Sequence, residues 1–319
     1  MDERKIVVIG GGTGQSIFLR GLKKLVDNIT AIVAVSDNGG GSGVLREDLG
    51  MLPPGDIRNC IMALADTEPA MKKVMNYRFK EGSLKDQSFG NLFLAALNGV
   101  YSNFQIAVSE ISNILAVKGK VLPVSIDEIH LKAITKSNKE VKGEVQIVNH
   151  VIANNDPIKY VELCPKDAKP LSEVLDEIKR ADIIILGPGS LYTSVITNLL
   201  IDEVSSAIYK SKAKKIYVCN VMTQPGETDN YSVKGHVDAI IEHTKLNIID
   251  YVMVNKQIIP DSILKNYEEQ NSFPIYLKDE EEKELLNMGI KVVKENLIEV
   301  KKGYIRHDAL KLAKGILRI

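Results

Sequence analysis

The 319 residues, 45% apolar and 26% charged, are enough for a sizeable core and match an ordinary globular protein. Its 41 Lys and Arg balance 41 Asp and Glu, which argues against a dedicated nucleic-acid binder, and having no Trp with 5% aromatics argues against stacking platforms for single strands. No apolar run is long enough to cross a bilayer, and the opening residues show no signal-like apolar core, so a cytoplasmic protein without membrane insertion is expected.

KIVVIG (5–10) reads as a strand buried on both faces. GGTG follows, and SIFLRGLKKLV (16–26) carries a helical stripe of Ile17, Phe18, Leu22, Leu25 and Val26. TAIVAVS (30–36) is a second buried strand, giving a βαβ unit with parallel strands. PPGDIRNCIMALAD (53–66) predicts a helix with Asp56 at its N-cap. SFGNLFLAALNGV (88–100), capped by Ser88, and IAVSEISNILAV (106–117) predict two more.

From 120 to 165 the texture becomes polar and alternating. KVLPVSI, IHLKAITK, EVKGEVQIVN and IKYVELCP predict strands in an antiparallel excursion off the main sheet. LSEVLDEIKRA (171–181), DIIILGPGS (182–190), KKIYVCNV (214–221), KGHVDAIIEHT (234–244) and DYVMVN (250–255) restore the α/β alternation, and EEEKE (280–284) reads as a solvated helix face. The expected fold is a single Rossmann-like α/β domain over 1–319. Its doubly wound, mostly parallel sheet has helices on both faces, a polar β-rich insertion at 120–165 and a C-terminal βα extension at 256–319.

Ligands of open α/β sheets bind beyond the carboxyl ends of the strands. Four small, polar loops follow strands here: Gly10-Gly11-Gly12-Thr13-Gly14, Asp37-Asn38-Gly39-Gly40-Gly41-Ser42-Gly43, Gly187-Pro188-Gly189-Ser190-Leu191, and Asn220 through Thr223 to Thr228. Glycine lets backbone N–H groups approach an oxyanion, and a helix N-terminus adds unpaired donors. The first loop is neither a Walker A loop nor a complete GxGxxG. Asp37 suits a ribose hydroxyl, as in an NAD site, a Mg²⁺ ion, or a local Asx turn. Asp56, Arg58 and Asn59 start a helix, where Arg58 offers a bidentate phosphate contact and Asp56 fits equally a cap and salt bridge. Asn91, at an apolar helix start, needs a partner. The five histidines show no metal-ligand spacing, no general base stands out, and Cys60, Cys164 and Cys219 read as small apolar residues of a reducing compartment.

GGGTG, SDNGGGSGVLREDLGMLPPGDIRN, SFGNL, GPGSLYTSVITNLL and NVMTQPGET together resemble the YvcK-type family of gluconeogenesis factors, itself similar to CofD, the 2-phospho-L-lactate transferase of coenzyme F420 synthesis. The resemblance implies a cytoplasmic protein that binds a UDP-sugar such as UDP-N-acetylglucosamine and serves growth on gluconeogenic carbon sources, cell shape and wall synthesis. It implies a nucleotide pocket of Gly11, Gly12, Thr13, Gly14, Asp37, Asn38, Gly40, Gly41, Ser42, Arg46, Asn91, Gly189, Ser190, Leu191, Asn220 and Thr223. A CofD-like, Mg²⁺-dependent phospholactate or nucleotidyl transferase is the alternative, with Asp37 on the metal. CofD-type enzymes carry a less glycine-rich, more aromatic segment after the equivalent acid, so NGGGSG favours the YvcK-type reading. Expected partners are the nucleotide sugar, a second copy in a homo-oligomer (dimer), and cell-wall or kinase proteins; no nucleic acid is expected.

Overall fold

The computed structural model describes residues 2–301 and 303–319. In chain order its elements are β1 (Ile6–Gly10), α1 (Gly12–Leu22), β2 (Ile29–Val33), α2 (Gly40–Leu49), α3 (Gly55–Leu64), α4 (Pro69–Met75), α5 (Phe89–Tyr101), α6 (Phe104–Ile114) and β3 (Lys120–Pro123). The excursion follows with β4 (His130–Thr135), β5 (Glu140–Lys142), α7 (Glu144–Asn154) and β6 (Ile158–Cys164). Then come α8 (Ser172–Arg180), β7 (Ile183–Leu186), a wide π-helical turn at Leu191–Ile196, α9 (Thr197–Leu199), α10 (Asp202–Lys210), β8 (Lys214–Val218), α11 (Val233–Thr244) and β9 (Tyr251–Asn255). The chain closes with α12 (Asp261–Glu268), α13 (Asp279–Asn287), β10 (Lys291–Glu295), β11 (Ile298–Lys301), β12 (Tyr304–His307) and α14 (Ala309–Leu317).

The main sheet has seven parallel strands in the order β10-β9-β8-β7-β1-β2-β3. β1, β2 and β7 are apolar and buried along their whole length, as strands covered on both faces must be. Crossovers step one way from β1 to β2 and the other way from β7 to β8. Right-handed connections therefore put helices on opposite faces. The order reverses where β1, holding Ile6 against Ile29, also holds Ile6 against Ile183. A doubly wound sheet opens a crevice at the carboxyl end of such a point.

Several elements differ from the sequence expectation. α1 begins at Gly12 rather than near Ser16, so loop one feeds directly into a helix. The glycine run after Asp37 is mostly not a loop: Gly39 is the N-cap of α2, which contains Gly40, Gly41, Ser42 and Gly43. Asp56 is not the N-cap of α3; Pro54 holds that position and makes no side-chain cap. β3 belongs to the main sheet, and the excursion proper is the antiparallel trio β5-β4-β6. Within EVKGEVQIVN only 140–142 is strand. Gly143, at φ 97°, breaks the chain, and α7 turns Ile147 and Val151 inward one helical turn apart. The 256–319 βα extension adds β10 to the edge of the main sheet and packs α14 on α1. Ser88 caps α5 as expected, accepting the Asn91 N–H.

Gly21 marks the α1–α14 contact. A methyl there would lie 2.5 Å from the Ala309 carbonyl carbon and oxygen. In an ordinary helix Gly→Ala stabilises by ~0.5–1 kcal/mol, but overpacking a tight contact costs ~1–3 kcal/mol. Gly21→Ala is expected to destabilise the protein by about 1–2 kcal/mol in urea unfolding. A more stable variant would contradict this packing.

Candidate nucleotide-binding cleft

At the reversal point a cavity of about 630 Å³ opens over the carboxyl ends of β1, β7 and β8. Loop one contributes Gly11, Gly12, Thr13 and Gly14; the loop after β7 contributes Gly189, Ser190 and Ser194; the loop after β8 contributes Asn220, Thr223, Gln224 and Glu227. The far wall comes from the C-terminal region, with Tyr267, Gln270, Ser272, Ile305, Arg306 and His307. Three of the four predicted loops thus meet in one cleft.

Close backbone approach explains why loop one is glycine. A methyl on Gly14 would sit 2.8 Å from the Pro188 carbonyl oxygen, and one on Gly11 3.0 Å from Asp56 Oδ2. The Gly12 N–H donates to Asp56 Oδ2 at 2.6 Å. That leaves the first-turn N–H groups of Thr13 and Gly14 beside the cavity for an anion. Across the cleft, Asn220 Nδ2 donates to Gln224 Oε1 at 3.0 Å and Gln224 Nε2 donates to Ser190 Oγ at 2.8 Å. Thr223 is fixed from behind, its Oγ1 accepting the Phe273 N–H at 2.9 Å.

The other predicted residues lie around this cleft without lining it. Gly10 ends β1 and its carbonyl accepts from Asn198 Nδ2; Gly187 is a left-handed turn residue, and Leu191 is core. Asp37 Oδ1 accepts the Gly39 N–H at 2.8 Å, the Asx-turn role. Asn38 caps the excursion, accepting from Val145 N at 3.2 Å and donating to Gln146 at 2.7 Å. Gly41 is small because a methyl would meet Gln87 Oε1 at 2.8 Å, and Ser42 Oγ accepts the Gly55 N–H. Gly39 and Gly40 begin α2. Arg46 is buried and donates to the backbone carbonyls of Ile129 and Ser36. Arg58 packs over Gly90 and donates to Asn59 Oδ1 at 2.6 Å. Asn91 Oδ1 is buried without a partner.

The structure also supplies residues that the sequence reasoning passed over. Glu227, in the NVMTQPGET segment, is buried, with Oε2 unpartnered. Burial raises its carboxyl to about 7 against the pull of the Thr193 and Tyr192 N–H groups and the Thr193 and Ser190 hydroxyls. Asp56 is raised to about 6, first by burial and then by the charge of Asp37, with the Gly12 N–H and Arg58 opposing. Glu144 is pushed well up by burial. Two acids with raised carboxyls therefore stand at the cleft, Glu227 in its lining and Asp56 behind loop one. His307 is pushed down to about 4 by burial, and its Nε2 has no partner. Arg306 is the sole Lys or Arg in the lining, among the described residues.

Among the described residues no three His, Cys, Asp or Glu side chains are arranged to hold a metal alone. Mg²⁺, however, is commonly held by one or two carboxylates together with substrate phosphates. Asp37 and Asp56 come nearest that requirement, since the charge of Asp37 raises the Asp56 carboxyl, but among the described residues neither lines the cavity, so they do not fit a cation shared with a phosphate held there. An NAD reading meets the same obstacle, because Asp37, the acid for its ribose, stands outside the cleft lining. Among the described residues no helix is long and apolar enough to cross a membrane.

Comparison with known proteins agrees with this architecture. The family model of 2-phospho-L-lactate transferase CofD matches residues 6–298. A Thermoanaerobacterium thermosulfurigenes protein is 56% identical over 313 residues, covering 98% of this chain and 96% of its own. A Bacillus subtilis protein named gluconeogenesis factor is 44% identical over 310 residues, covering 97% of this chain and 96% of its own. The crystal structure of a Bacillus halodurans protein superposes with a TM-score of 0.94 at 41% identity, covering 99% of this chain and 100% of its own.

The raised acids set a pH dependence. Folded Glu227 holds a proton that the unfolded chain releases near 4.5, so its contribution is intact below that pH and is lost as pH rises toward about 7. Glu227→Gln has no such proton. Its stability relative to wild type should rise between about pH 4.5 and about pH 7, by up to ~1.4 kcal/mol per pH unit within the window. Urea unfolding across that range checks it; parallel profiles for the two proteins would rule out a raised Glu227.

Proposed function

This chain belongs to the CofD family and matches its gluconeogenesis-factor members over nearly its whole length, and from that premise we propose that the cleft binds a nucleotide sugar of the UDP-N-acetylglucosamine type. The observation that carries the reading is the convergence of glycine loops one and three, with the N-terminus of α1, on one cavity whose far wall presents Arg306. Backbone N–H groups and one guanidinium suit a pyrophosphate. The neutral Asn220–Gln224–Ser190 hydrogen-bond chain suits the hydroxyl and amide groups of a sugar. At about 630 Å³ the cavity is within the usual range for small-ligand sites.

On this reading the protein is a cytoplasmic binder that links a wall-precursor nucleotide to carbon flux and cell shape. A second reading, group transfer of the CofD kind, rests on Glu227, a buried carboxyl in the cleft lining whose Oε2 has no partner, and on Asp56, which accepts the Gly12 N–H behind loop one; burial raises both.

UDP-N-acetylglucosamine should raise the melting temperature and give a measurable heat of binding, while NAD should not compete. Arg306→Ala should weaken binding about tenfold or more, the equivalent of ~1.4 kcal/mol or above. No response at millimolar nucleotide sugar would sink the reading. Turnover of a nucleotide donor that is lost in Asp56→Asn would move the protein to the transferase alternative.

A further inference from the structure

A directional chain of hydrogen bonds runs through the cleft lining. Asn220 Nδ2 donates to Gln224 Oε1 at 3.0 Å, and Gln224 Nε2 donates to Ser190 Oγ at 2.8 Å. Having accepted there, Ser190 has its own proton to give, and its hydroxyl acts on the Glu227 carboxyl. All four side chains line the cavity. Among the described residues Asn220 Oδ1, the free end of the chain, takes no donor.

Each of the first three links can be reversed. An Asn or Gln amide presents a donor or an acceptor according to which way it is turned, and a hydroxyl does both. Glu227 is what fixes the direction, because a carboxylate accepts and cannot donate. It is held firmly: the residue is 9% exposed and Oε1 accepts the Thr193 hydroxyl at 3.4 Å. With Glu227 ionised, Ser190 donates to it, Gln224 donates to Ser190, Asn220 donates to Gln224, and Asn220 Oδ1 is left as a free acceptor in the lining. Oε2 of Glu227 has no partner, and an unpaired buried carboxylate oxygen is costly, so the group takes up a proton at about 7. The protonated acid can donate to Ser190. The chain then reverses link by link, and Asn220 offers Nδ2 in place of Oδ1.

We propose that Glu227 is a positioning residue of the cleft, setting the direction of the Asn220–Gln224–Ser190 chain so that the site selects a sugar hydroxyl that donates over a group that can only accept. The nucleotide-sugar reading supplies the ligand; the role of Glu227 stands on the chain itself. The groups around Glu227 bear on its titration. Glu144 of α7 and Asp56 behind loop one are acids raised by burial, and the charges of Asp56 and Glu227 raise Glu144 further. Asp229, in the loop of Glu227, accepts the Gly226 N–H, and Glu242 of α11 acts with Glu227 on Tyr192, whose hydroxyl bonds that of Tyr231. His236 and His243 of α11 and His307 of β12 are pushed down by burial, which leaves Arg306 as the cation of the lining among the described residues. Asp56, raised to about 6, titrates close to Glu227, so a substitution at Glu227 is needed to separate the two.

Side-chain amide NMR of the ligand-free full chain tests the chain directly. In wild type the Asn220 and Gln224 amide signals should shift together with one midpoint near pH 7. They should stay flat through that range in Glu227→Gln and in Ser190→Ala, which cuts the chain between Gln224 and Glu227 while leaving the carboxyl in place. Flat signals in wild type, or signals that still titrate together in both variants, overturn the proposal. Calorimetry then tests selection, with UDP-N-acetylglucosamine and its monodeoxyfluoro analogues, in each of which one sugar hydroxyl becomes an acceptor. All carry the same charge, so their affinity ratio cancels the response of the pyrophosphate to pH. At about pH 8 wild type should bind at least one analogue about tenfold more weakly than the parent, the worth of one hydrogen bond. That ratio should fall to about twofold or less at about pH 5.5, and in Glu227→Gln at either pH. A ratio unchanged in Glu227→Gln, or no weakened analogue, overturns the selection. Coupled amide titration in a protein that binds no UDP-sugar at millimolar concentration upholds the role of Glu227 and fails the nucleotide-sugar reading instead.

Discussion

Parallel pairing of β1 with β2 on one side and β7 on the other governs the rest of this molecule. Because β1 sits at the reversal, the connections leaving β1 and β7 diverge onto opposite faces of the sheet. The space between them has no crossover to fill it. Loop one and the loop after β7 face each other there, close enough that Gly14 meets Pro188 with only hydrogen to spare. The cleft is thus a consequence of strand order, and its chemistry comes from what fills the strand ends: backbone donors on one side, Gln224 and Ser190 on the other, Arg306 across the mouth.

The glycines divide into two kinds by physical cause. Gly11 and Gly14 border the cleft, where a side chain would occupy either ligand space or the opposing loop. Gly41 and Gly43 are packing glycines: a methyl on Gly43 would lie 2.3 Å from the Asn38 carbonyl oxygen. Their helix, α2, fixes Asp37 and Asn38 and anchors the antiparallel excursion through Arg46 and Asn38. The second glycine run therefore supports the site from behind. Its direct link to the cleft is electrostatic, through the charge of Asp37 on Asp56.

Much of this was legible where a residue's role is set by burial on both faces. β1, β2, β7, β8 and β9 read as continuous apolar runs, and Ser88 read as a cap because capping is local chemistry. Two elements were illegible for definite reasons. EVQIVN alternates like a strand, and only Gly143 and the inward turn of Ile147 and Val151 make it a helix. Three successive glycines disfavour helix by propensity, yet α2 forms because tertiary contacts hold it. In the cleft, loop chemistry marked Gly11–Gly14, Ser190, Asn220 and Thr223. Arg306 and His307 carried no local sign, because only the return of β12 across the β1 and β8 ends brings them there. The raised carboxyls of Asp56 and Glu227 depend on depth, which sequence does not report.

The pairing of Ile6 with Ile183 also has a kinetic side. Closing a chain segment of that length costs roughly 4–5 kcal/mol of conformational entropy before any contact repays it. Non-local parallel pairing of this sort forms slowly. No fragment lacking either strand can present the cleft, so occupancy reports on completion of the whole sheet. A small molecule held at a hundred times its dissociation constant adds about 2.7 kcal/mol to the folded state. On the proposed reading, a ligand of this cleft would therefore also protect the folded chain from unfolding and turnover.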